Sequence, residues 1–481
     1  MRQLNELKND DICALATPVG RSAIAVVRMS GPNAHSILNR LCLKLTSGIQ
    51  SHKAYLTSVY SAPKNNKDPQ KIDQALVTYF QNQQSYTGEP SFEVSCHGNP
   101  TIVKKILERI IELGARLAHP GEFTFRAFIN DKIDLIQAEA VLSLIESQSE
   151  EAAKISLRQL EGKVSDLFKR LELEIIWCLA HIEASIDFST EGIDVINDSG
   201  LIHKLKDLNN ELNRLIEGFD HGQIIKHGLK ISLLGKPNVG KSSLLNSLVQ
   251  SDKAIVTDIA GTTRDVIEAQ TQFNGMAIYI SDTAGLRETS DVVEKIGVTR
   301  SLAEINKSDL NLLVLDVTES ISDDFKQNLA LFNGQKMAIL CNKSDLITAD
   351  RRAQISKELA GLIESVQKLP GSLPFNFDKQ VLFTSSIELA CRNDVLNLVL
   401  AQFESLDFLD ESIVSSARQV EMVKIAKEHV EKSIAELSSG LGSEFIAQTL
   451  KDALLAIQKV LGHVYDDQIL DRVFKEFCLG K

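Results

Sequence analysis

A glycine-rich segment that ends in a lysine and a serine could bind phosphate. Residues 235–242 read GKPNVGKS, which fits the pattern GxxxxGK[ST] and follows an apolar run at 229–234. Glycines let backbone N–H groups approach phosphate oxygens, and the start of a predicted helix at 243–249 adds positive potential. Lys241 would reach the β- and γ-phosphates, and Ser242 would ligate Mg²⁺. The alternative, a glycine-rich turn that binds nothing, is disfavoured by the strand and helix on either side.

Three further segments could complete a nucleotide site. The segment DTAG at 282–285 ends a predicted strand, where a carboxylate can hold the Mg²⁺ shell and a glycine N–H can meet a γ-phosphate. The segment NKSD at 342–345 follows another strand, and the Asp345 carboxylate can accept two N–H bonds that guanine offers and adenine lacks. The segment GTTRD at 261–265 supplies the Thr263 hydroxyl for a switch that closes on Mg²⁺. In this order the four segments resemble those of the translation-factor-type small GTPases, so we expect the nucleotide to be GTP.

Two departures from that pattern bear on different steps, the first on the affinity for the guanine base and the second on the mechanism of hydrolysis. The guanine-contacting segment, usually Ser-Ala-Lys, reads TSSIE, in which only the serines Ser385 and Ser386 remain. Leu286 follows DTAG, where a catalytic Gln is often found, and an aliphatic side chain cannot orient water. We therefore expect the amide oxygen of Asn238 and backbone carbonyls within 257–264 to surround a K⁺ ion. Its charge near the β–γ bridge would take the role of an arginine finger.

Length, charge and cysteine spacing limit the class of protein. The chain of 481 residues is too long for one core, and 43% hydrophobic with 24% charged residues excludes a mainly disordered chain. The net charge of −12 disfavours non-specific coating of nucleic acid, so any RNA contact must use a local basic face. We expect no membrane span, signal peptide or transit peptide. Seven scattered cysteines without a CxxC pair predict a reduced, cytoplasmic protein without a zinc site.

The hydrophobic pattern divides the chain into parts. Residues 1–125 alternate short strands and helices, which is an α+β pattern. Apolar residues at steps of three and four predict helices within 126–221 and again within 405–481. The intervening residues 222–404 alternate strands and helices around the phosphate loop. We therefore predict an α/β GTPase domain that is inserted into a discontinuous, all-helical domain.

Longer motifs connect the whole chain to one family. They are ALATPVGR at 14–21, YTGE at 86–89, HG at 97–98, HPGEFTFRAF at 119–128, DKIDLIQAEA at 131–140 and FCLGK at 477–481. Together with the order of the GTPase segments, these motifs resemble the tRNA-modification GTPase family MnmE, also called TrmE, over essentially the full length. The resemblance implies that the N-terminal part is a folate-binding-like α+β dimerisation domain, beside the helical domain and the inserted P-loop GTPase domain.

The resemblance also implies a chemistry and a set of partners. Members hydrolyse GTP with K⁺ and Mg²⁺ as homodimers whose two GTPase domains meet across the K⁺ ion. They add a carboxymethylaminomethyl-type group to C5 of the wobble uridine of certain tRNAs, with nitrogen from glycine or ammonium. The one-carbon unit comes from 5-formyl-tetrahydrofolate or a related folate. An FAD-dependent protein of the MnmG (GidA) type completes a heterotetramer, and no membrane partner is expected.

The family's site residues carry over to this sequence by position. The nucleotide would contact Asn238, Val239, Gly240, Lys241, Ser242, Ser243, Thr257, Asp258, Ile259, Ala260, Gly261, Thr262, Thr263, Asp282, Thr283, Ala284, Gly285, Asn342, Lys343, Asp345, Ser385 and Ser386. Mg²⁺ would be held by Ser242 and Thr263, and K⁺ by Asn238, Thr257, Ile259 and Thr262. The folate-contacting positions are Arg28, Glu93, Lys132 and Lys481. The catalytic candidates are Glu294, which would orient water, Arg264, which would stabilise a switch, and Cys478, an active thiol.

These assignments have plainer alternatives. Glu294 could be a solvated helix residue, Arg264 could belong to a surface ion pair, and the folate-contacting charges could be ordinary surface charges. Cys478 could be a small residue packed against apolar neighbours, since a thiol reacts only when its pKa is lowered. Ser22-Ala23 and Asn99 stand where the family often has glycines, which leaves the shape of the folate pocket open.

Two other functions compete with the tRNA-modification interpretation. One is a ribosome-assembly GTPase that binds rRNA and does no modification chemistry. The GTPase segments alone cannot exclude it, but such factors normally add basic RNA-binding modules, and this chain is acidic. The other is a folate-dependent enzyme that acts on a small molecule with GTP as regulator, and activity without tRNA would favour it.

Overall fold

The structure, a computed structural model, divides into two compact units. It describes residues 10–43, 48–63, 68–188, 198–249, 269–282, 308–321, 329, 335–368, 374–403, 414–465, 467–478 and 480–481. The first unit holds Met1–Ile145, Ser156–Ile216 and Ala417–Lys481, and the second holds Glu146–Ile155 and Glu217–Ser416. The predicted combination of α/β and helical parts is confirmed, whereas the predicted domain boundaries stay a prediction. No helix within the described ranges is both long and apolar enough to cross a bilayer.

A six-stranded sheet opens the first unit. Its strands are β1 (Ile12–Leu15), β2 (Ser22–Ser30), β3 (Ala54–Tyr60), β4 (Lys71–Phe80), β5 (Ser91–Gly98) and β6 (Arg116–Leu117). The order is β3-β4-β5-β2-β1-β6, and only the pair β1–β6 is parallel. Helices α1 (Ala34–Leu41) and α2 (Pro100–Glu112) pack on it. Asn99, one of the departures from the family pattern, caps α2 by accepting a hydrogen bond from the Thr101 N–H at 2.8 Å.

The pleat sorts the residues of this sheet into two faces. Alternate residues such as Val27 and Val94 are fully buried in a core with the apolar sides of α1 and α2. The residues between them lie on the opposite face, where Ile24, Leu76 and His97 are exposed. The sheet therefore presents one face to its own core and the other outward.

Five helices follow along the chain. They are α3 (Glu122–Ile129), α4 (Leu135–Glu146), α5 (Glu150–Leu160), α6 (Lys163–Phe188) and α7 (Asp198–His227). In α6, Phe168, Leu171 and Ile175 are buried at steps of three and four residues. This spacing places them on one side of the helix, as the sequence pattern predicts.

The second unit is built on another six-stranded sheet. Its strands are β7 (Leu229–Leu234), β8 (Ala269–Phe273), β9 (Met276–Asp282), β10 (Leu310–Asp316), β11 (Met337–Asn342) and β12 (Val381–Phe383). Its helices are α8 (Lys241–Val249), α9 (Ala349–Gln367), α10 (Phe377–Gln380) and α11 (Cys391–Ala401). The order is β12-β11-β10-β7-β9-β8, parallel except for β8–β9. The strand order reverses between β7 and β10, which is where open parallel sheets bind ligands.

Three C-terminal helices complete the first unit: α12 (Ala417–Ser438), α13 (Ser443–Leu461) and α14 (Asp467–Lys475). Helix α13 packs against both α12 and α6. Polar contacts flank the apolar seam with α6, since Gln458 Nε2 donates to Glu172 Oε1 at 2.9 Å and Lys451 Nζ lies 2.9 Å from Glu183 Oε1. Helices from the two ends of the helical sequence thus share one core.

Helix α14 packs against the start of α3. The ring of Phe474 meets that of Phe125 edge-to-face, with centroids 5.3 Å apart. Gly121, which precedes α3, has φ +70, and a Cβ there would overlap the carbonyl oxygen of Phe474. A glycine is therefore required for this close approach. The contact brings the last residues of the chain to the N-terminal sheet.

A buried group of charges links α3 to the same sheet. Glu122 and Arg126, one helical turn apart, are each 3% exposed and lie 3.1 Å from one another. Arg126 also pairs with Asp10 at 2.5 Å and Glu89 at 3.0 Å, and Arg116 pairs with Glu122 at 2.6 Å. Burial alone would raise the pKa of Glu122. Hydrogen bonds from Arg116 and from a backbone N–H, with the charges of both arginines, outweigh burial and lower that pKa.

Replacement of Arg126 by Met should destabilise the first unit by about 3 kcal/mol, because the partners of a removed buried cation stay behind as uncompensated charges. Urea unfolding of the full chain measures this. The matched control is Lys104→Met, which removes an exposed pair with Glu108 and should cost less than about 1 kcal/mol. Equal unfolding curves for the two variants would contradict the prediction.

The same network predicts a pH dependence. Because the folded pKa of Glu122 is lowered, its stabilising contribution is fully present above the unfolded pKa and is lost as the pH falls through the folded pKa. The wild-type chain should therefore lose stability on acidification more steeply than Arg126→Met. Parallel stability-versus-pH curves would show that Arg126 does not contribute to the lowered pKa.

Candidate functional site

The predicted phosphate loop forms a sharp turn between β7 and α8. Asn238 has φ +64 and Gly240 has φ +98, both in the left-handed region. The Lys241 side chain is buried, and its ammonium donates to the carbonyl oxygens of Gly235 at 2.8 Å and Lys236 at 2.6 Å. The loop backbone thus curves around the lysine at the start of a helix, an arrangement suited to a phosphate group.

Asn342 connects the phosphate loop to the guanine-contacting segment. Its side chain is fully buried, with Nδ2 donating to the Val239 carbonyl at 2.8 Å and Oδ1 accepting from the Ser386 N–H at 3.1 Å. A Cβ on Gly240 would overlap Asn342 Nδ2. One amide side chain therefore fixes the spacing between two loops that are distant in sequence. Ser385, the other predicted residue of the second loop, is buried.

Asp316, which the sequence reasoning missed, positions Lys343. It is the last residue of β10, is buried, and accepts a hydrogen bond from Lys343 Nζ at 2.5 Å. Burial acts to raise the pKa of Asp316, but hydrogen bonds from Lys343 and Thr318 outweigh it and lower the pKa. Lys343 Nζ also lies 3.3 Å from the Asn238 carbonyl oxygen. The sequence offered no local signal for this role, because the position of Asp316 beside the reversal of strand order becomes apparent only in the folded sheet.

Three further residues of the predicted nucleotide site are exposed. Ser242 and Ser243 lie in the first turn of α8. Asp345 lies in the 3₁₀ turn 344–346, whose first N–H donates to the Thr384 carbonyl at 3.0 Å. That bond holds the turn beside the guanine-contacting segment. The Asp345 carboxylate is therefore accessible at the edge where a base would be read.

The predicted switch residues are described only in part. Asp282 ends β9, and the parallel register places it opposite Leu233, near the end of β7. The others lie outside the described residues: Thr257, Asp258, Ile259, Ala260, Gly261, Thr262, Thr263, Arg264, Thr283, Ala284, Gly285 and Glu294. Their roles toward nucleotide, Mg²⁺, K⁺ and water stay predictions. In the part of the chain that the structure describes, no group of three or more His, Cys, Asp or Glu side chains could hold a metal ion.

A second charged cluster lies on the outward face of the N-terminal sheet. Arg28 and Glu93 face each other across β2 and β5 and pair at 2.8 Å. Arg28 also donates to the Gly480 carbonyl at 3.1 Å. The Lys481 ammonium and the Arg28 guanidinium lie 5.9 and 5.8 Å from the ring centroid of Tyr86. Three of the four predicted folate-contacting residues thus come together around a tyrosine.

Two residues that shape this cluster were not assigned a role from the sequence. The Tyr86 hydroxyl is 3.0 Å from Thr124 Oγ1, so α3 holds the ring in place. Gly480 has φ +89, and a Cβ there would overlap the Leu15 carbonyl oxygen, so the chain end approaches β1 only because of this glycine. Both residues belong to motifs that signalled the family, YTGE and FCLGK, which was the available signal.

The cluster also affects the Lys481 side chain. Burial lowers the pKa of Lys481, the charge of Arg28 lowers it further, and the charge of Glu93 opposes both. The site therefore holds two cations close together, one of them paired with a carboxylate. Such a site favours a ligand that brings additional negative charge.

The other two predicted residues of this region are exposed. Lys132 donates to the Gln83 carbonyl at 2.8 Å, in the loop that carries Tyr86, and its described contact is with that loop rather than with the Arg28–Glu93 pair. Cys478 is exposed while the other six cysteines are buried. Its exposure does not fit the alternative of a packed apolar residue, and its reactivity stays a prediction.

Comparison with known proteins identifies relatives along the whole chain. The model for "MnmE helical domain" matches residues 135–478, and that for "GTP-binding protein TrmE N-terminus" matches residues 11–132. The tRNA modification GTPase MnmE of Bdellovibrio bacteriovorus is 44% identical over 98% of both chains. That of Bacillus cytotoxicus is 35% identical over 98% of this chain and 99% of the relative. Among solved structures, Aquifex aeolicus Era is 21% identical over 42% of this chain and 66% of its own, with a TM-score of 0.25.

Gly240→Ala should weaken GTP binding by at least about 100-fold, since the added Cβ overlaps Asn342 and φ +98 is unfavourable for alanine. Titration with a fluorescent GTP analogue measures the affinity. Gly361→Ala in α9 is the matched control, because a Cβ there has nothing within 4 Å. Wild-type affinity for Gly240→Ala would show that the loop adjusts to the extra atom.

Asp316→Asn should weaken GTP binding about tenfold, because a hydrogen bond to a charged group is worth roughly 1.5–3 kcal/mol and Lys343 would lose its charged partner. The same titration measures it. Asp350→Asn, an exposed aspartate in the first turn of α9, should bind GTP like the wild type. Unchanged affinity for Asp316→Asn would mean that Lys343 keeps its position without this partner.

Proposed function

The chain belongs to the MnmE family of tRNA modification GTPases, and from that premise we propose how its two sites work. It is a GTPase that acts in tRNA modification. We propose that it adds a carboxymethylaminomethyl-type group to C5 of the wobble uridine of certain tRNAs, using a folate one-carbon unit. The observation that carries this proposal is the convergence of Arg28 and Lys481 on Tyr86, with Glu93 paired to Arg28, in a chain that also holds a phosphate loop.

Potassium is the proposed aid to GTP hydrolysis. Asn238 supports it, since the residue is exposed in the phosphate loop and its carbonyl is held by Lys343. Its amide oxygen would hold the ion with the carbonyls of Thr257, Ile259 and Thr262, and Ser242 and Thr263 would hold Mg²⁺. When bound, the two cations supply positive charge where negative charge develops during hydrolysis. Glu294 and Arg264 are the proposed aids in orienting water and the switch.

A reduced folate such as 5-formyl-tetrahydrofolate is the proposed ligand of the N-terminal cluster. Glu93 can accept hydrogen bonds from the amide and amine donors of a pterin ring, and the cations Arg28 and Lys481 can pair with carboxylates. The Tyr86 ring adds an aromatic surface beside them. Lys132 and Cys478 are proposed contributors from neighbouring segments, the first to binding and the second as a thiol.

The proposed assembly follows the family. We propose a cytoplasmic homodimer that joins an FAD-dependent protein of the MnmG type in a heterotetramer and binds tRNA. The family match over residues 11–132 supports this interpretation over an rRNA-binding ribosome-assembly GTPase. Nucleoside analysis of tRNA from a deletion strain distinguishes the two. Loss of the modified wobble uridine is expected, and normal tRNA with abnormal ribosome profiles would overturn the proposal.

GTP hydrolysis by the purified chain should be at least about tenfold faster in KCl than in NaCl at equal ionic strength, because a correctly placed charge stabilises the transition state. Asn238→Ala should remove the difference between the salts. Asn246→Ala, an exposed asparagine in α8, is the matched control and should keep it. Equal rates for the wild type in both salts would mean that Asn238 holds no ion.

A further inference from the structure

His97 lies on the outward face of the N-terminal sheet, apart from the Arg28–Glu93 cluster, and pairs with the buried Asp73 of the neighbouring strand. His97 Nδ1 is 2.8 Å from Asp73 Oδ1, and the His97 backbone N–H donates to Asp73 Oδ2 at 2.9 Å. The Asp73 residue is only 9% exposed, whereas the His97 side chain is 70% exposed. The carboxylate thus bonds to Nδ1, and the other ring nitrogen, Nε2, lies on the exposed side of the ring.

The strands around this pair are irregular. The pairing of β2 with β5 shifts register between Ser22 and Ile24, directly opposite His97. The pairing of β3 with β4 shifts beside Asp73. A Cβ on Gly98 would overlap the Ser22 side chain, so the glycine is needed where β2 bulges toward β5. Bulges re-aim side chains and are over-represented next to active sites.

The pair has the chemistry of an oriented base. Burial acts to raise the pKa of Asp73, but hydrogen bonds from His97 and from the Gln74 N–H outweigh it and lower that pKa. The carboxylate is therefore ionised at neutral pH and favours a proton on His97 Nδ1. That tautomer leaves the Nε2 lone pair free to accept a proton.

The same sheet face connects the pair to the charged cluster. Three cross-strand pairs follow one another on β2 and β5: Arg28–Glu93, Val26–Ser95 and Ile24–His97. Side chains two residues apart on a strand share a face, so Glu93 and His97 lie on one side, about 13 Å apart along the strand. Leu76, opposite Ser95 on β4, and Ile24 are exposed apolar residues. We call this row of side chains the strip; it comprises Arg28, Val26, Ile24, Glu93, Ser95, His97 and Leu76. The strip is thus charged at one end, largely apolar in the middle, and ends in a histidine.

We propose that this strip is one extended ligand-binding surface and that His97 is its proton-transfer residue. The proposal rests on the proposed function, in which the Arg28–Glu93 end holds a folate. The ligand class that fits is a flat, extended molecule of about 13 Å or more, with a donor-rich polar ring at Glu93 and an apolar middle. When an N–H or O–H group bound at the far end reacts, its bond to hydrogen breaks, the electron pair stays on that nitrogen or oxygen, and the proton moves to Nε2. The imidazolium then releases that proton to water, and no oxidant or reductant is needed.

His97→Asn tests the proposal, because the asparagine amide can keep a hydrogen bond to Asp73 but has no nitrogen that accepts a proton. In a deletion strain complemented with each variant, we expect its tRNA to carry at least about tenfold less C5-modified wobble uridine than the wild type. GTP hydrolysis by the purified variant should be unchanged. His203→Asn, an exposed histidine on α7, is the matched control and should modify tRNA normally. Wild-type modification by His97→Asn would overturn the proposal.

Folate binding separates this proposal from the one on which it rests. Equilibrium binding of 5-formyl-tetrahydrofolate is measured for the wild type, Arg28→Ala and His97→Asn. If the wild type binds no folate while His97→Asn still fails to modify tRNA, the folate assignment is wrong and the role of His97 holds. If the wild type binds folate and His97→Asn modifies tRNA normally, the folate assignment holds and the proposed role of His97 is wrong. Should His97→Asn not fold by circular dichroism, His97→Gln, which also lacks a proton-accepting nitrogen, replaces it.

The orienting role of Asp73 has its own readout. In full-length protein labelled with ¹⁵N at histidine, the side-chain shifts of His97 report which ring nitrogen carries the proton. Asp73→Asn should change that distribution and reduce tRNA modification about tenfold. Reduced modification with an unchanged His97 signal would contradict an orienting role, because a merely structural effect does not require the tautomer to change.

Discussion

A carboxylate removed from water is costly unless a cation or an N–H group compensates it, and three such carboxylates set the geometry of this protein. Glu122 on α3 pairs with Arg116 on β6 and so ties α3 to the N-terminal sheet. Asp316 holds Lys343 beside the phosphate loop. Asp73 holds the ring of His97. In each case the partner lies on another segment, so satisfying the charge also fixes how two segments meet. Each pair belongs to a region with a proposed ligand.

The part of the nucleotide site that depends only on residues close together in sequence could be predicted from the sequence. Glycines and a lysine between an apolar run and a helical run specify the loop, because backbone conformation and helix start depend on neighbouring residues. The two hydrogen bonds by which Asn342 joins the phosphate loop to the guanine-contacting segment could not be predicted in that way. The role of Asn342 depends on β11 lying two strands from β7, so that the amide reaches Val239. Asp316 escaped notice for the same reason, since its partner Lys343 follows 27 residues later.

The N-terminal cluster shows a different limit. Arg28, Glu93 and Lys481 were chosen through a family resemblance, because isolated charges on a strand or at a chain end have no local signature. The pairing register of β2 and β5 explains why Arg28 and Glu93 lie together. The close approach of Gly480 to β1 explains why Lys481 joins them. His97 was visible in a motif, but its partner Asp73 becomes apparent only when β4 is placed beside β5. Long-range pairing, rather than composition, determines which charges become a site.

The hydrogen bond from Arg28 to the Gly480 carbonyl has a consequence for biosynthesis. A site formed mainly by residues 28–132 is completed by residues 480–481, which are translated after the helical and GTPase sequence. The N-terminal sheet can form early, while its charged cluster stays incomplete until the entire helical and GTPase sequence has been made. A chain that stalls before residue 480 would carry a folded sheet with Arg28 and Glu93 in place but without Lys481 over Tyr86. Completion of this cluster therefore requires translation through residue 481.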